Sequence, residues 1–294
     1  MSNEGAGSWV INLSYDYNNL NTLNAGTDTL DDDSRLRVTN SILLNLGYAI
    51  SNRFSVESLF TWVNQTRTIS QFGNEDFTET SGIGDAVFLL RYTIPNVLGD
   101  QSSVAISSGV KAPVGRSDLL TNEGFQLTAD LQPGSGAWDY VGLISVSKNL
   151  PFRPSATLAA GATFRLTGAN SDYLNGESTY EFGNEVQAIL GYTDQFLLFS
   201  AVFNPALILK YRKAGIDKIN GFDLNNTGGE WLFIRPEIFA YISPSIAVVS
   251  RLEVPLYSYV DGTQLTPTLR FTGGLQIKLM KKNDIEIENQ NKLP

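Results

Sequence analysis

Apolar and polar residues alternate with a period of two along most of this chain, in runs of about ten residues, the length of a tilted membrane strand. In residues 8–18, Trp9, Ile11, Leu13, Tyr15 and Tyr17 share one face, and Val10, Asn12, Ser14 and Asp16 form a mostly polar opposite face. The same pattern predicts strands over residues 35–50, 54–67, 84–94, 102–113, 137–148, 155–167, 180–192, 195–212, 231–242, 245–259 and 265–281, twelve in all. Strands of a soluble β-sandwich are usually only about five or six residues long.

Connection lengths add an independent rhythm. Links after even strands are short (51–53, 96–101, 149–154, 193–194 and 243–244), whereas most links after odd strands are long (19–33, 68–82, 114–136, 168–179 and 213–229). Short periplasmic turns and long external loops produce this alternation. The expected fold is all-β, a transmembrane antiparallel up-and-down β-barrel of twelve strands with both termini on the periplasmic side. Its expected organisation is a polar N-terminal segment 1–7, a barrel 8–281 and a polar C-terminal tail 282–294. The polar start lacks the apolar run of a secretory signal, and the chain reads as a mature exported protein with an added initiator Met. No Phe closes the last strand, a departure from ordinary outer-membrane barrels.

Aromatics fall at the two ends of the outward faces, with Trp62, Trp138, Tyr140, Tyr180 and Tyr211 expected externally and Tyr48, Phe54, Tyr92 and Tyr192 at the periplasmic ends. Amphipathic rings favour headgroup depth because their apolar body and polar tip are both satisfied there.

Charges collect on the opposite faces. The expected lumen-lining set, through which a solute would pass, runs Arg37, Glu57, Arg67, Asp85, Arg91, Lys111, Asp139, Arg165 and Glu181. It continues with Glu185, Lys210, Arg212, Arg235, Glu237, Arg251, Glu253, Arg270 and Lys278. A lipid-facing Arg or Lys costs roughly 2 to 4 kcal/mol at the bilayer midplane, so this segregation is physically required. Eleven cations against seven anions leave the lumen positive, while the whole chain carries −9. If Ile242 pairs with Ile246 around the turn, Arg235 faces Glu253 and Glu237 faces Arg251, an alternating quartet on the lumenal wall.

The chain has no Cys and no His, which removes disulfides, thiolate chemistry, the commonest metal ligand and the usual neutral-pH base. No phosphate loop, zinc-ligand spacing or nucleophile elbow occurs, so an enzyme, a cofactor and a metal site are not expected. Asp31, Asp32 and Asp33 lack the spacing of a calcium cage and read as a solvated external loop. Glu181 and Glu185 read as carboxylates satisfied by lumenal cations rather than as an acid/base pair.

Three segments, residues 82–92, 110–115 and 131–140, resemble the phenol meta-pathway outer-membrane transporter family. The resemblance covers the middle of the chain best and rests most on Leu131-Gln132-Pro133-Gly134-Ser135-Gly136-Ala137-Trp138-Asp139-Tyr140. It implies an integral barrel of the bacterial outer membrane passing small, often hydrophobic or aromatic compounds, with structural roles for Asp85, Lys111, Pro113, Gly115, Gly134, Gly136 and Asp139. Positive φ is expected at Gly134 and Gly136.

Two functions follow. The first is passive or ligand-gated passage of small molecules through a charge-lined lumen, either a mildly anion-favouring conduit or, the reading preferred on these residues, a narrow lumen braced by ion pairs. The alternative is a structural or scaffold barrel in an outer-membrane protein complex. Expected partners are outer-membrane lipid, a small-molecule solute, and a protein at the acidic loops or the C-terminal tail; nucleic acid is not expected.

Overall fold

A bilayer offers no partner for an unpaired backbone group, so a strand-built span has to close on itself. The computed structural model of the chain describes residues 5–121, 123–199 and 201–280, and all structural statements concern these. The tail 282–294, residue 281 of the expected barrel and residues 1–4 of the expected N-terminal segment lie outside the described residues. Twelve strands among the described residues form the wall. They are β1 (Trp9–Leu20), β2 (Arg35–Ala49), β3 (Phe54–Gln71), β4 (Ala86–Pro95), β5 (Ser102–Ala112) and β6 (Asp139–Leu150). The second half comprises β7 (Arg153–Leu166), β8 (Glu185–Thr193), β9 (Ala201–Ala214), β10 (Gly229–Ser243), β11 (Ile246–Thr266) and β12 (Leu269–Leu279). Each pairs antiparallel with its sequence neighbours, and β1 closes on β12 from Trp9↔Leu279 to Asn19↔Leu269.

The wall is not level at the rim opposite the termini, the one expected to be external and named so below. Beyond Phe60, β3 pairs with Asn74–Ile83, which leads into β4 past a break at Gly84 and Asp85. The upper part of β11 takes Thr22–Gly26 as its partner, and that segment folds back on Asp28–Leu30. β11 thereby reaches Thr266, and its link to β12 is only Pro267-Thr268, a short connection on the side where the others are long.

The expected strand 180–192 is two elements. Ser178–Glu181 leaves the wall and joins Ala169–Tyr173, Lys218–Ile219 and Phe222–Asp223 in a four-stranded sheet that caps the external mouth. The wall strand starts only at Glu185 because the chain crosses Gly215 there: a Cβ on Gly183 would fall 2.0 Å from the Gly215 carbonyl oxygen. Side chains replace the lost ladder bonds, with Gly183 N donating to Asp217 Oδ1 at 2.8 Å and Thr167 N to Asn184 Oδ1 at 2.9 Å. The expected strand 195–212 is likewise divided, since Phe196–Leu198 pairs back onto Ala201–Phe203.

Outward positions carry the exposed apolar side chains, among them Leu13, Ile42, Leu90, Ile106, Ile144, Leu190 and Leu275. Rings gather at both rims. Trp9 packs on Tyr48 at 4.8 Å and Phe54 on Tyr92 at 4.7 Å at the periplasmic end, while Trp62 and Tyr140 face out externally. Tyr180 departs from this pattern: it is buried in the external cap between Tyr173 and Phe182, because the segment carrying it has left the wall.

Depth should set the cost of a charge on the outer surface. Ile144 lies midway along β6 and Leu166 at the external end of β7, both outward. Ile144→Arg is expected to lower unfolding free energy in phospholipid vesicles by about 2 to 4 kcal/mol, and Leu166→Arg by about 0 to 1 kcal/mol. Equal costs in urea titrations would place the belt elsewhere.

Candidate functional site

Six charged groups of alternating sign follow one another round one side of the lumen. Lys111 Nζ on β5 lies 2.8 Å from Asp85 Oδ2 and 3.0 Å from Asp139 Oδ2 on β6. Arg165 on β7 lies 3.8 Å from Asp139 and 3.7 Å from Glu185 on β8. Arg212 on β9 closes the series 2.8 Å from Glu185, with its guanidinium 4.9 Å from the Trp231 ring on β10. The barrel register produces this order, since Lys111 stands opposite Asp139 and Arg165 opposite Glu185.

A second group occupies β9, β10 and β11. Arg251 Nε donates to Glu237 Oε2 at 3.1 Å, Arg235 approaches Glu237 at 3.4 Å and Glu253 at 3.8 Å, and Lys210 holds Glu253 at 2.8 Å. Glu237 pairs with Arg251 in the ladder as the alternation requires, although an irregularity between Tyr241 and Ser243 pairs Ile246 with Ser243 instead of Ile242 at the turn. Elsewhere Arg270 donates to Asp16 at 2.9 Å, Arg91 approaches Glu57 at 3.6 Å, and Lys278 stands opposite Val10 on the inward face.

Glu181 differs from the other residues expected in the lumen. It lies in the external cap opposite Ala169 and Lys218, because the break at residues 182–184 separates it from Glu185. Asp85 sits just before β4 rather than within it. Arg35 and Asp16 also face inward and were missing from the expected set, although their parity with Arg37 and Asn12 carried the signal. Asp130 had no such signal, being in a loop.

That loop, described over residues 113–121 and 123–138, folds into the mouth, and both its limbs are tied to Asp85. Asp85 accepts from Gly115 N at 3.2 Å, Ser135 N at 3.0 Å and Ser135 Oγ at 2.7 Å, while Lys111 Nζ also donates to Ser135 Oγ. The departing and returning chains touch: a Cβ on Gly115 would lie 2.7 Å from Gly134 Cα. Gly134 therefore serves close approach rather than positive φ, whereas Gly136 does take φ +71°. Further in, Thr80 Oγ1 donates to the Leu131 carbonyl at 2.7 Å, and Arg37 donates to Asp130 Oδ2 at 2.7 Å. The three resembling segments thus meet at one point in space.

Between this inturned loop and the four-stranded cap lies a cavity of about 690 Å³. Five arginines line it, Arg35, Arg37, Arg67, Arg165 and Arg212, against three carboxylates, Asp130, Glu185 and Asp217. Its other wall is aromatic and apolar, with Tyr180 packed 5.1 Å from Tyr173 and 4.9 Å from Phe182. Burial, and the Asp217 carboxylate accepting its hydroxyl at 2.6 Å, push the Tyr180 phenol well above its ordinary range. It therefore stays a neutral donor at any physiological pH.

The Lys111 side chain is 10% exposed, and its partners Asp85 and Asp139 are 9% and 3% exposed. Lys111→Ala leaves both carboxylates buried without that cation and is expected to cost about 3 to 5 kcal/mol in urea unfolding. Arg116→Ala, at a pair with side chains 62% and 72% exposed, should cost about 0 to 1 kcal/mol. Similar losses for both would show that the Lys111 cluster is solvated.

No family profile and no curated protein matches the chain by sequence. In three dimensions it is similar to an outer membrane channel from Pseudomonas putida F1, at 15% identity and a TM-score of 0.73, over 95% of this chain and 98% of that one. The translocator domain of the autotransporter NalP from Neisseria meningitidis aligns at 12% identity and a TM-score of 0.49, over 94% and 90%. The β domain of a Bordetella autotransporter aligns at 11% identity and a TM-score of 0.47, over 94% and 100%. The first likeness carries the conclusion: this chain has the fold of a bacterial outer-membrane β-barrel.

Proposed function

We propose that the chain is an integral outer-membrane channel passing small molecules through a narrow lumen braced by ion pairs. The observation that carries this reading is the segregation of charge in a closed wall. Lipid-facing positions are apolar, and alternating cations and anions line the inside beneath a cavity open to solute size. The fold likeness to an outer membrane channel supports the same reading. The resemblance to phenol meta-pathway transporters supports aromatic compounds among the solutes.

The inturned loop and the cap reduce the external opening, so single-channel steps should be small compared with those of a wide porin. With more arginines than carboxylates at the mouth, the reversal potential in a salt gradient should show anion preference, weakening as ionic strength rises. Planar bilayers containing the purified barrel test both. A barrel that is electrically silent and passes no aromatic or anionic solute overturns the channel reading, and a stoichiometric protein partner retained in mild detergent would then favour a scaffold.

A further inference from the structure

The arginines of the external cavity are not equally provided with partners. Arg37 and Arg67 stand directly opposite each other on β2 and β3, and Arg35 shares their face two residues along. Like charges directly opposed in a ladder oppose its formation. Arg37 has Asp130. Arg35 feels the charge of Asp32 without forming an ion pair with it. Among the described residues Arg67 forms no ion pair.

The hydrogen-bond balance of the cavity points the same way. The Nε atoms of Arg35, Arg37, Arg67 and Arg165 are buried with no acceptor, and so is Nε1 of Trp231, a residue only 5% exposed. Against these donors stands one unsatisfied acceptor among the described lining residues, Asn18 Oδ1. Those nitrogens are shielded from the cavity as well, so the demand for acceptor oxygens there is that of the terminal guanidinium nitrogens of Arg35 and Arg67, which no hydrogen-bond partner among the described residues meets. Planar guanidinium groups meet that demand best with a carboxylate, which they can bind bidentately. The opposite wall offers Tyr180, Phe182, Ile219, Leu224 and Leu265, which an inorganic anion would leave uncovered. A cavity of about 690 Å³ suits one small organic molecule.

We propose that this cavity is a binding site for a small organic carboxylate with an apolar body, held by Arg35 and Arg67 at its head and by the cap at its tail. The proposal deepens the channel reading and rests on it: the site would select what enters the lumen. Arg67 then holds its position against Arg37 because a ligand oxygen separates the two charges.

Calorimetric titration of the full chain in detergent, with benzoate as the probe, tests this. Acetate supplies the head without the body, benzyl alcohol the body without the charge, and inorganic phosphate an anion of other shape. Benzoate should bind roughly tenfold or more tightly than any of the three, and the Arg35→Gln/Arg67→Gln variant should lose roughly tenfold or more of that affinity. Arg116→Gln, on an exposed pair outside the cavity, should leave it unchanged. Folding of the double variant is read from its melting temperature, which should stay level or rise because it relieves repulsion and strands no partner. Benzoate binding as tightly to the double variant as to the native chain, acetate, benzyl alcohol or phosphate binding as tightly as benzoate, or no heat from folded native barrel each overturns the proposal. Bilayer currents without benzoate binding would leave the channel standing and remove the site, while binding to an electrically silent barrel would do the reverse.

Discussion

The seam between Trp9–Leu20 and Leu269–Leu279 is the interaction on which everything else in this molecule depends. Without it the sheet has two edges whose amides would lie in lipid with nothing to accept or donate to them, at a cost of several kcal/mol per group. Eleven residue pairs remove those edges, and closure creates the inside and the outside that alternate along every strand. Once the two faces have different solvents, sequence parity becomes destiny for each charge. A slip of one residue in any pairing would send a whole row of ions to the hydrocarbon.

The ion pairs therefore serve two ends. As wall elements, Lys111 with Asp139, Arg165 with Glu185 and Arg251 with Glu237 stand opposite each other in the ladder and favour the register that brings them together. As lumen elements they present fixed charge to any solute. The arginine cluster of β2 and β3 departs from this economy, since Arg37 and Arg67 face each other with a single carboxylate, Asp130, borrowed from a loop. Two opposed cations weaken the wall at this point, and the binding site proposed above would give that departure a function.

Asp85 links wall and loop. It accepts from both ends of the loop 113–138 and pairs with Lys111, so the segment that narrows the mouth hangs from the same cluster that braces β5 and β6. Gly115 and Gly134 let the two limbs of that loop touch, and the loop then descends to place Asp130 against Arg37. The cap supplies the facing apolar wall through Tyr173, Tyr180 and Phe182.

Alternation along the chain determined the architecture, because a strand between lipid and lumen exposes each parity to a different solvent over about ten residues. Twelve strands, the two belts, the inward phase of residues such as Lys111 and Arg235, and the pairing of Glu237 with Arg251 were all readable from local pattern. Arg35 and Asp16 were equally legible by parity. What the pattern did not contain was the fate of chain outside the wall, since a loop has no period to read. The departure of Tyr180 and Glu181 into the cap follows from the crossing of Gly183 with Gly215, a contact between residues 32 positions apart in sequence. The inward fold of Asp130, the meeting of three distant segments at Asp85 and the cavity beneath the cap likewise arise from contacts between separate loops. Only the tertiary structure decided these, because each depends on which chains the closed barrel brings side by side at its mouth.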